Sequence, residues 1–356
     1  MSNEAILDIL KTVNYPGFSR DLVSFGLVQG AELENSTAKV ILELSSADST
    51  LPKTIKEAVE KALLANPTIK KAEVMVRVKN QPKNSGGTAQ AESENLKGVK
   101  HIIAVASGKG GVGKSTLSVN LACSLARMKS QNGEPYKVGL MDCDLYGPSV
   151  PLLMGISEKP EIVAENTLAP VESYDVKSIS MGLLIDEESP VVWRGPMIMK
   201  TIQQFAHNVV WGELDYLLID LPPGTGDAQL SLAQILPLDG VLIITTPQKA
   251  AVDVARRGAR MFEKVNVPIL GVIENMSFLQ EEETGKKNYL FGQGGGASTA
   301  QALQCPFLGE IPLHEEVRLG GDHGTPVVVT NPDNLSSKQI NGVAGKVVQL
   351  IEGKTE

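Results

Sequence analysis

Cysteine is scarce in this chain: Cys123, Cys143 and Cys305 stand alone in 356 residues, with no C-x-x-C pair among them. That spacing excludes a disulfide framework and a thiolate zinc motif. Histidine is nearly as rare, and His101, His207, His314 and His323 fall at no metal-ligand spacing, so each is read as structural or solvent-facing. Long apolar runs are missing too. No stretch approaches the roughly 18 residues of a membrane span, and the start, Met-Ser-Asn-Glu-Ala-Ile-Leu, lacks the basic and apolar regions of a secretion signal. The expectation is a soluble, cytoplasmic protein with no membrane partner. Positive charge is in deficit, 33 Lys and Arg against 41 Asp and Glu, for a formal net charge of −8. This argues against a nucleic-acid partner held by bulk electrostatics and leaves room only for a small local basic patch. Near the end, Ile340, Val343, Val347, Leu350 and Ile351 recur at helical spacing. Their polar side mixes signs, so that helix is expected to pack on the protein rather than on lipid.

What is present is concentrated in Gly108-Lys109-Gly110-Gly111-Val112-Gly113-Lys114-Ser115-Thr116. This satisfies G-x-x-x-x-G-K-[ST], the loop that cradles phosphates with backbone N–H groups. An apolar run of strand length, His101–Ser107, precedes it, and Leu117, Leu121, Leu125 and Met128 follow at helical spacing. Strand, glycine loop and helix in that order aim N–H dipoles at polyphosphate. Lys114 is expected on the β- and γ-phosphates and the Ser115 hydroxyl on Mg²⁺. The second lysine, Lys109, resembles that of the deviant form of this loop, in which it reaches across a dimer interface to the partner's nucleotide.

Around this motif the chain divides into 1–80, a small α+β domain, a polar linker over 81–98, and an α/β domain over 99–356. In the first, helical patterns near Ala5–Val13 and Ile55–Leu64 alternate with strand patterns at Ala38–Leu44 and Ala72–Val78. In the last, Val138–Asp142, Tyr216–Asp220, Gly240–Thr246 and Ile269–Glu274 are nearly continuous in apolar character. Strands covered on both faces read this way, so a mostly parallel sheet flanked by helices is expected, with ligands at the carboxyl ends of its strands.

Three of those ends carry chemistry. Asp220 is placed to hold Mg²⁺, and in the Leu221-Pro-Pro-Gly-Thr-Gly-Asp227 loop after it the Gly224 N–H is expected to face a γ-phosphate. A loop of that kind orders with ATP and relaxes after hydrolysis. Asp142 and Asp144, spaced i, i+2, are assigned to the metal's shell and to the attacking water. Asn275, in Glu-Asn-Met-Ser after a late strand, offers an amide that suits an adenine edge.

Together these strings resemble the Mrp/ApbC family of deviant phosphate-loop ATPases, relatives of MinD and ParA proteins and of the nitrogenase iron protein. The matching segments are GKGGVGKST (108–116), DCDLYGPSVP (142–151), WRGPM (193–197), WGELDYLLIDLPPGTGD (211–227), TTPQ (245–248), ENMS (274–277) and LGEIPL (308–313). Residues 1–80 are similar, more loosely, to a small domain of iron–sulfur assembly factors. The resemblance implies a homodimeric ATPase that carries or assembles iron–sulfur clusters for apoproteins and meets assembly proteins on the way. It supports Lys109, Lys114, Ser115, Asp144, Asp220 and Asn275 in the roles above and adds Pro312 to the adenine pocket. It also implies a [4Fe–4S] cluster held by a C-x-x-C pair from each subunit. Here that segment, Phe278–Gly292, has no cysteine, and soft thiolates are what such a cluster needs. The isolated protein is therefore expected to bind ATP and to hold a cluster weakly or not at all. Two other readings are a nucleotide-switched adaptor of the same fold without its own cluster, and a MinD/ParA-like positioning ATPase.

Overall fold

The computed structural model describes residues 3–13, 22–23, 27–34, 36–44, 51–66, 68–78, 96–144, 147–164, 167–184, 205, 208–281 and 283–353. Most of the expected linker, Ser45–Thr50 of the first unit and the 193–197 string lie outside them. The chain forms two compact units, Met1–Ala89 and Gln90–Glu356.

In the first unit β1 (Val28–Glu34) pairs antiparallel with β2 (Thr37–Leu44), which pairs parallel with β3 (Lys71–Val78). Period-two alternation puts Ala38, Val40 and Leu42 of β2 on one face, all buried, while exposed Lys39 and half-buried Ile41 belong to the other. The helices Asn3–Leu10 and Leu51–Leu64 cover the buried face with Ile6, Leu10, Ile55, Val59 and Leu63. Each fully buried aliphatic side chain contributes about 1.5–3 kcal/mol.

The second unit is built on an eight-stranded sheet. Its strands are β4 (Val99–Ser107), β5 (Val138–Asp142), β8 (Val171–Ser173), β9 (Val176–Ser180), β10 (Leu214–Asp220), β11 (Gly240–Thr245), β12 (Ile269–Glu274) and β15 (Phe307–Glu310). Two small hairpins lie outside it, β6 (Ile162–Ala164) with β7 (Thr167–Leu168) and β13 (Leu279–Gln280) with β14 (Lys287–Asn288). The spatial order is β15-β12-β11-β4-β10-β5-β9-β8, parallel throughout except for β8 against β9. Helices Lys114–Arg127 and Leu335–Glu352 pack on one face through Leu117, Leu121, Val343 and Val347. Helices Asp227–Ile235, Lys249–Lys264 and Gly295–Ala302 pack on the other through Leu232, Phe262 and Ala300. This is the expected two-faced parallel sheet. Among the described residues no helix is long and apolar enough to cross a membrane.

The order positions the site. The chain leaves β4 through the helix Lys114–Arg127 toward β5, whereas β11 lies on β4's other side. The carboxyl end of β4 is thus a switch point of the winding, where a crevice opens for ligand.

Candidate nucleotide site

The loop after β4 needs its glycines. Gly111 (φ 76°) and Gly113 (φ 78°) adopt the left-handed conformation, and Gly113 caps the helix Lys114–Arg127. A Cβ on Gly113 would also overlap the Asn275 amide. Gly108 is constrained differently: a Cβ there would sit 2.5 Å from the Val254–Ala255 peptide of the helix Lys249–Lys264. At Gly111 a Cβ would meet nothing within 4 Å, so the loop is open on that side. Lys109 and Gly110 are exposed at its rim, Val112 is buried beneath it, and Thr116 is half-buried in the first helical turn.

Behind the loop lies a buried charge cluster. The Lys114 ammonium sits 2.7 Å from Asp220 Oδ2 and 3.1 Å from Ser115 Oγ. Ser115 donates to the same Asp220 oxygen at 2.6 Å, and Ser118 donates to the other at 2.6 Å. Asp220 has no exposed surface, so three donors replace its water. Ser118 is a site residue that sequence reading missed. Its signal was present, since i+4 from Lys114 shares a helix face with that lysine.

Register pairs Asp142 with Asp220 at the ends of β5 and β10. Asp142 accepts from the Asp144 N–H at 3.0 Å, the Ser180 hydroxyl at 2.8 Å and the Val150 N–H at 3.4 Å. Burial, and then the Asp220 carboxylate, push its own carboxyl well above the usual range. Asp142 thus sits beside Asp220 and holds the backbone at Asp144 and Val150. β5 ends at Asp142, so strand alternation does not carry on to Asp144. Asp144 lies nearer the surface, 9% exposed.

The Pro-Gly loop departs from expectation as well. The Gly224 N–H donates to the Ser107 carbonyl at 3.0 Å instead of facing the open crevice. Buried Gln229, also missed from sequence, donates to the Pro222 carbonyl at 2.5 Å and to Ser107 at 3.3 Å, clamping this loop to the end of β4. Asn275 likewise spends its amide on the loop, donating to the Val112 carbonyl at 2.8 Å, where the sequence assigned it to adenine. Pro312 is buried next to it: the Ile311 N–H donates to the Glu274 carbonyl at 2.8 Å, and the Ser277 N–H to the Ile311 carbonyl at 3.0 Å.

The thiols do not converge. Cys123 packs on one face of the sheet and Cys143 on the other, both buried, and Cys305 is half-buried. Among the described residues no three His, Cys, Asp or Glu side chains are grouped to hold a metal. The segment after ENMS is the β13–β14 hairpin, where Lys287 sits 3.9 Å above the Phe278 ring. Burial raises the Cys123 thiol from 9.0 to about 12 and Cys143 well above its usual value. Both buried thiols therefore stay protonated and unreactive at pH 8. Iodoacetamide on the native protein is expected to label Cys305 first, with Cys123 and Cys143 reacting only after denaturation. Rapid native labelling of Cys123, read by peptide mass, would contradict this burial.

A phosphate loop at the switch point of a parallel sheet, backed by a serine–aspartate pair, defines a P-loop NTPase. The fold agrees with solved structures. The nucleotide-binding protein of Archaeoglobus fulgidus, in complex with ADP, is 37% identical at a TM-score of 0.56, covering 65% of this chain and 89% of that one. The cell-division ATPase MinD of Pyrococcus furiosus, 20% identical with a TM-score of 0.51, shares the fold over 70% of this chain and 99% of its own. Residues 98–348 match the family described as NUBPL iron-transfer P-loop NTPase, and residues 3–76 match that of iron–sulfur cluster assembly protein. The chain belongs to the NUBPL iron-transfer P-loop NTPases. The iron-sulfur cluster carrier protein of Deinococcus radiodurans is 42% identical over 99% of this chain and 97% of its own length. The carrier protein of Helicobacter pylori is 37% identical over 99% and 94%. The mouse iron-sulfur cluster transfer protein NUBPL is 44% identical over 73% and 81%.

Proposed function

We propose that the protein is a cytoplasmic, homodimeric ATPase that carries iron–sulfur clusters to apoproteins. The observation that carries this reading is the Lys114–Ser115–Asp220 cluster behind an open glycine loop, in a chain whose full-length relatives are named cluster carriers. Ser115 Oγ and Asp220 Oδ2 are hard oxygen donors 2.6 Å apart, a pair that fits Mg²⁺ and would hold it. Bound there, the ion would neutralise charge on the β- and γ-phosphate oxygens.

The residues divide the remaining work. Backbone N–H groups of 108–116 and the helix N-terminus bind the phosphates. Lys114 turns from Asp220 to the β/γ-phosphates when ATP arrives. Asp144 orients the attacking water, and Lys109, exposed at the rim, reaches the partner subunit's nucleotide. Gly224 gives up the Ser107 carbonyl to meet the γ-phosphate, and that exchange is the switch. Asn275 braces Val112, and with Pro312 it borders the base.

The cluster is cargo. Three thiols that are buried or half-buried on separate parts of the sheet do not form a ligand set, so a client or donor protein supplies thiolates and the cluster is held in transit. The same separation favours the adaptor reading as the alternative. Anaerobic reconstitution of the full chain with iron and sulfide, read by absorbance and metal content, is expected to give far less than one [4Fe–4S] per dimer. A stoichiometric cluster lost on Cys305→Ser would overturn the missing-ligand account. In a transfer assay, ATP-dependent acceleration of apoprotein loading supports the carrier, and none reduces the protein to an adaptor.

A further inference from the structure

The helix Lys249–Lys264 has a charge pattern that the nucleotide site does not use. At 3.6 residues per turn its buried side gathers Val252, Ala255, Ala259 and Phe262. The opposite arc carries Lys249, Arg257, Arg260 and Lys264, with Asp253 among them and Glu263 at its edge, while half-buried Arg256 on the flank donates to Ser298 Oγ at 3.0 Å. This face has a surplus of positive charge on a chain whose formal net charge is −8. Lys249, Arg257, Arg260 and Lys264 are exposed, and among the described residues no carboxylate lies within ion-pair distance of them. Arg257 Nε donates instead to the Asp253 backbone carbonyl at 3.3 Å. The helix dipole favours Lys264 in the last turn but not Lys249 at the first position, nor does it call for Arg257 in mid-helix.

The other side of the same helix lies against both nucleotide loops. Its Val254–Ala255 peptide meets Gly108, as described above. A Cβ on Gly258 would stand 3.4 Å from Thr225 Cγ2 and 3.8 Å from the Gly224 carbonyl. A shift of either loop therefore reaches this helix directly.

We propose that the basic face of Lys249–Lys264 is a docking surface for an acidic segment of a partner protein, coupled to nucleotide state through the contacts at Gly108 and Gly258. Arg257, Arg260 and Lys264 recur about once per turn over the second half of a helix about 24 Å long, with Lys249 about two turns before them, and carboxylates on a partner helix can meet the same spacing. Asp253 and Glu263 interrupt the face. A uniform phosphate array would meet them with like charge, whereas a peptide can place neutral or basic residues opposite them. Docking stands independently of the ATPase reading; only its coupling rests on that reading.

The test uses the full chain and fluorescence anisotropy. Its probe is a labelled helical peptide with Glu repeated every fourth residue on one face, and a copy with Gln for each Glu is the control. The Glu peptide is expected to bind at least about tenfold more tightly than the Gln copy, and to weaken about tenfold between roughly 0.05 and 0.3 M salt. The triple variant Arg257→Glu, Arg260→Glu, Lys264→Glu is expected to lose about tenfold or more. Reversal of two exposed lysines elsewhere, Lys129→Glu and Lys338→Glu, is expected to change nothing. Equal binding of the two peptides, or equal loss in the control variant, overturns the proposal. So does tighter binding of duplex DNA or phosphatidylserine vesicles that the triple variant abolishes. Peptide affinity is further expected to differ about threefold or more between a non-hydrolysable ATP analogue and ADP. Equal affinity with both nucleotides bound overturns the coupling. Failure of either nucleotide to bind counts against the ATPase reading, and the peptide results still decide the docking.

Discussion

Lys114→Ala is expected to lose ATP affinity by about tenfold or more, 1.4 kcal/mol per decade, and also to melt at a lower temperature. The two losses have different causes. Affinity falls because the ammonium is the one full charge facing phosphate in a loop otherwise made of N–H dipoles. Stability falls because Asp220 has no exposed surface and keeps only the Ser115 and Ser118 hydroxyls once the ammonium 2.7 Å away is removed. Breaking one side of a buried pair costs about 3–5 kcal/mol. Pairing Lys114→Ala with Asp220→Asn removes the stranded charge, so the double variant is expected to regain much of the melting temperature and none of the ATP affinity. Calorimetric titration and thermal denaturation read the two quantities separately. Near-native ATP affinity in a folded Lys114→Ala protein would take this lysine out of the site.

Asp144→Asn is expected to bind ATP almost normally and to hydrolyse it about a hundredfold or more slowly, since the amide keeps the shape and loses the charge proposed to orient water. Lys109→Ala is expected to be equally slow for another reason if, as proposed, its charge serves the partner subunit's nucleotide. Mixing the two inactive variants separates these roles. In a mixed dimer, the site that owns Asp144 receives Lys109 from the other subunit. At equal amounts half the dimers are mixed and one of their two sites is whole, so about a quarter of wild-type turnover is expected to return. No recovery would place Lys109 in its own subunit's site or outside catalysis.

Much of the large sheet could be read directly from the sequence because β4, β5, β10, β11 and β12 are buried on both faces and spell nearly unbroken apolar runs. The β8–β9 hairpin could not. Its strands, Val171-Glu-Ser and Val176-Lys-Ser-Ile-Ser, are half polar, and the turn is made by Tyr174 (φ 52°) and Asp175 (φ 61°) rather than by the glycine or asparagine that usually marks positive φ. β1 was missed for a similar reason, since Gly30 marks a register shift within an alternating strand. In the site, the glycine loop and Asp220 were legible because phosphate chemistry demands those residue types at that spacing. Ser118 and Gln229 were not. A hydroxyl and an amide become informative only when the fold shows which buried oxygen they satisfy. For Asp142, Gly224 and Asn275 the sequence pointed to the site but not to the protein groups they bond, the Ser180 hydroxyl, the Ser107 carbonyl and the Val112 carbonyl, because sequence does not show what a polar group bonds to inside the protein.

The sheet's strand order bears on how the chain is made. β4 reaches both its neighbours only late: Val105 pairs with Asp220 on one side and with Leu242 on the other. On the ribosome, the strand carrying the phosphate loop therefore waits with two bare edges while well over a hundred further residues are synthesised. The front unit has no such delay, since β1, β2 and β3 pair within residues 28–78. Closing long loops is slow, and unpaired edges invite aggregation in the meantime. A nascent chain stalled before Leu214 would thus present a finished small unit tethered to an adhesive, nucleotide-incompetent remainder. The ability to bind ATP would arrive abruptly, once β10 and β11 have been inserted on either side of β4.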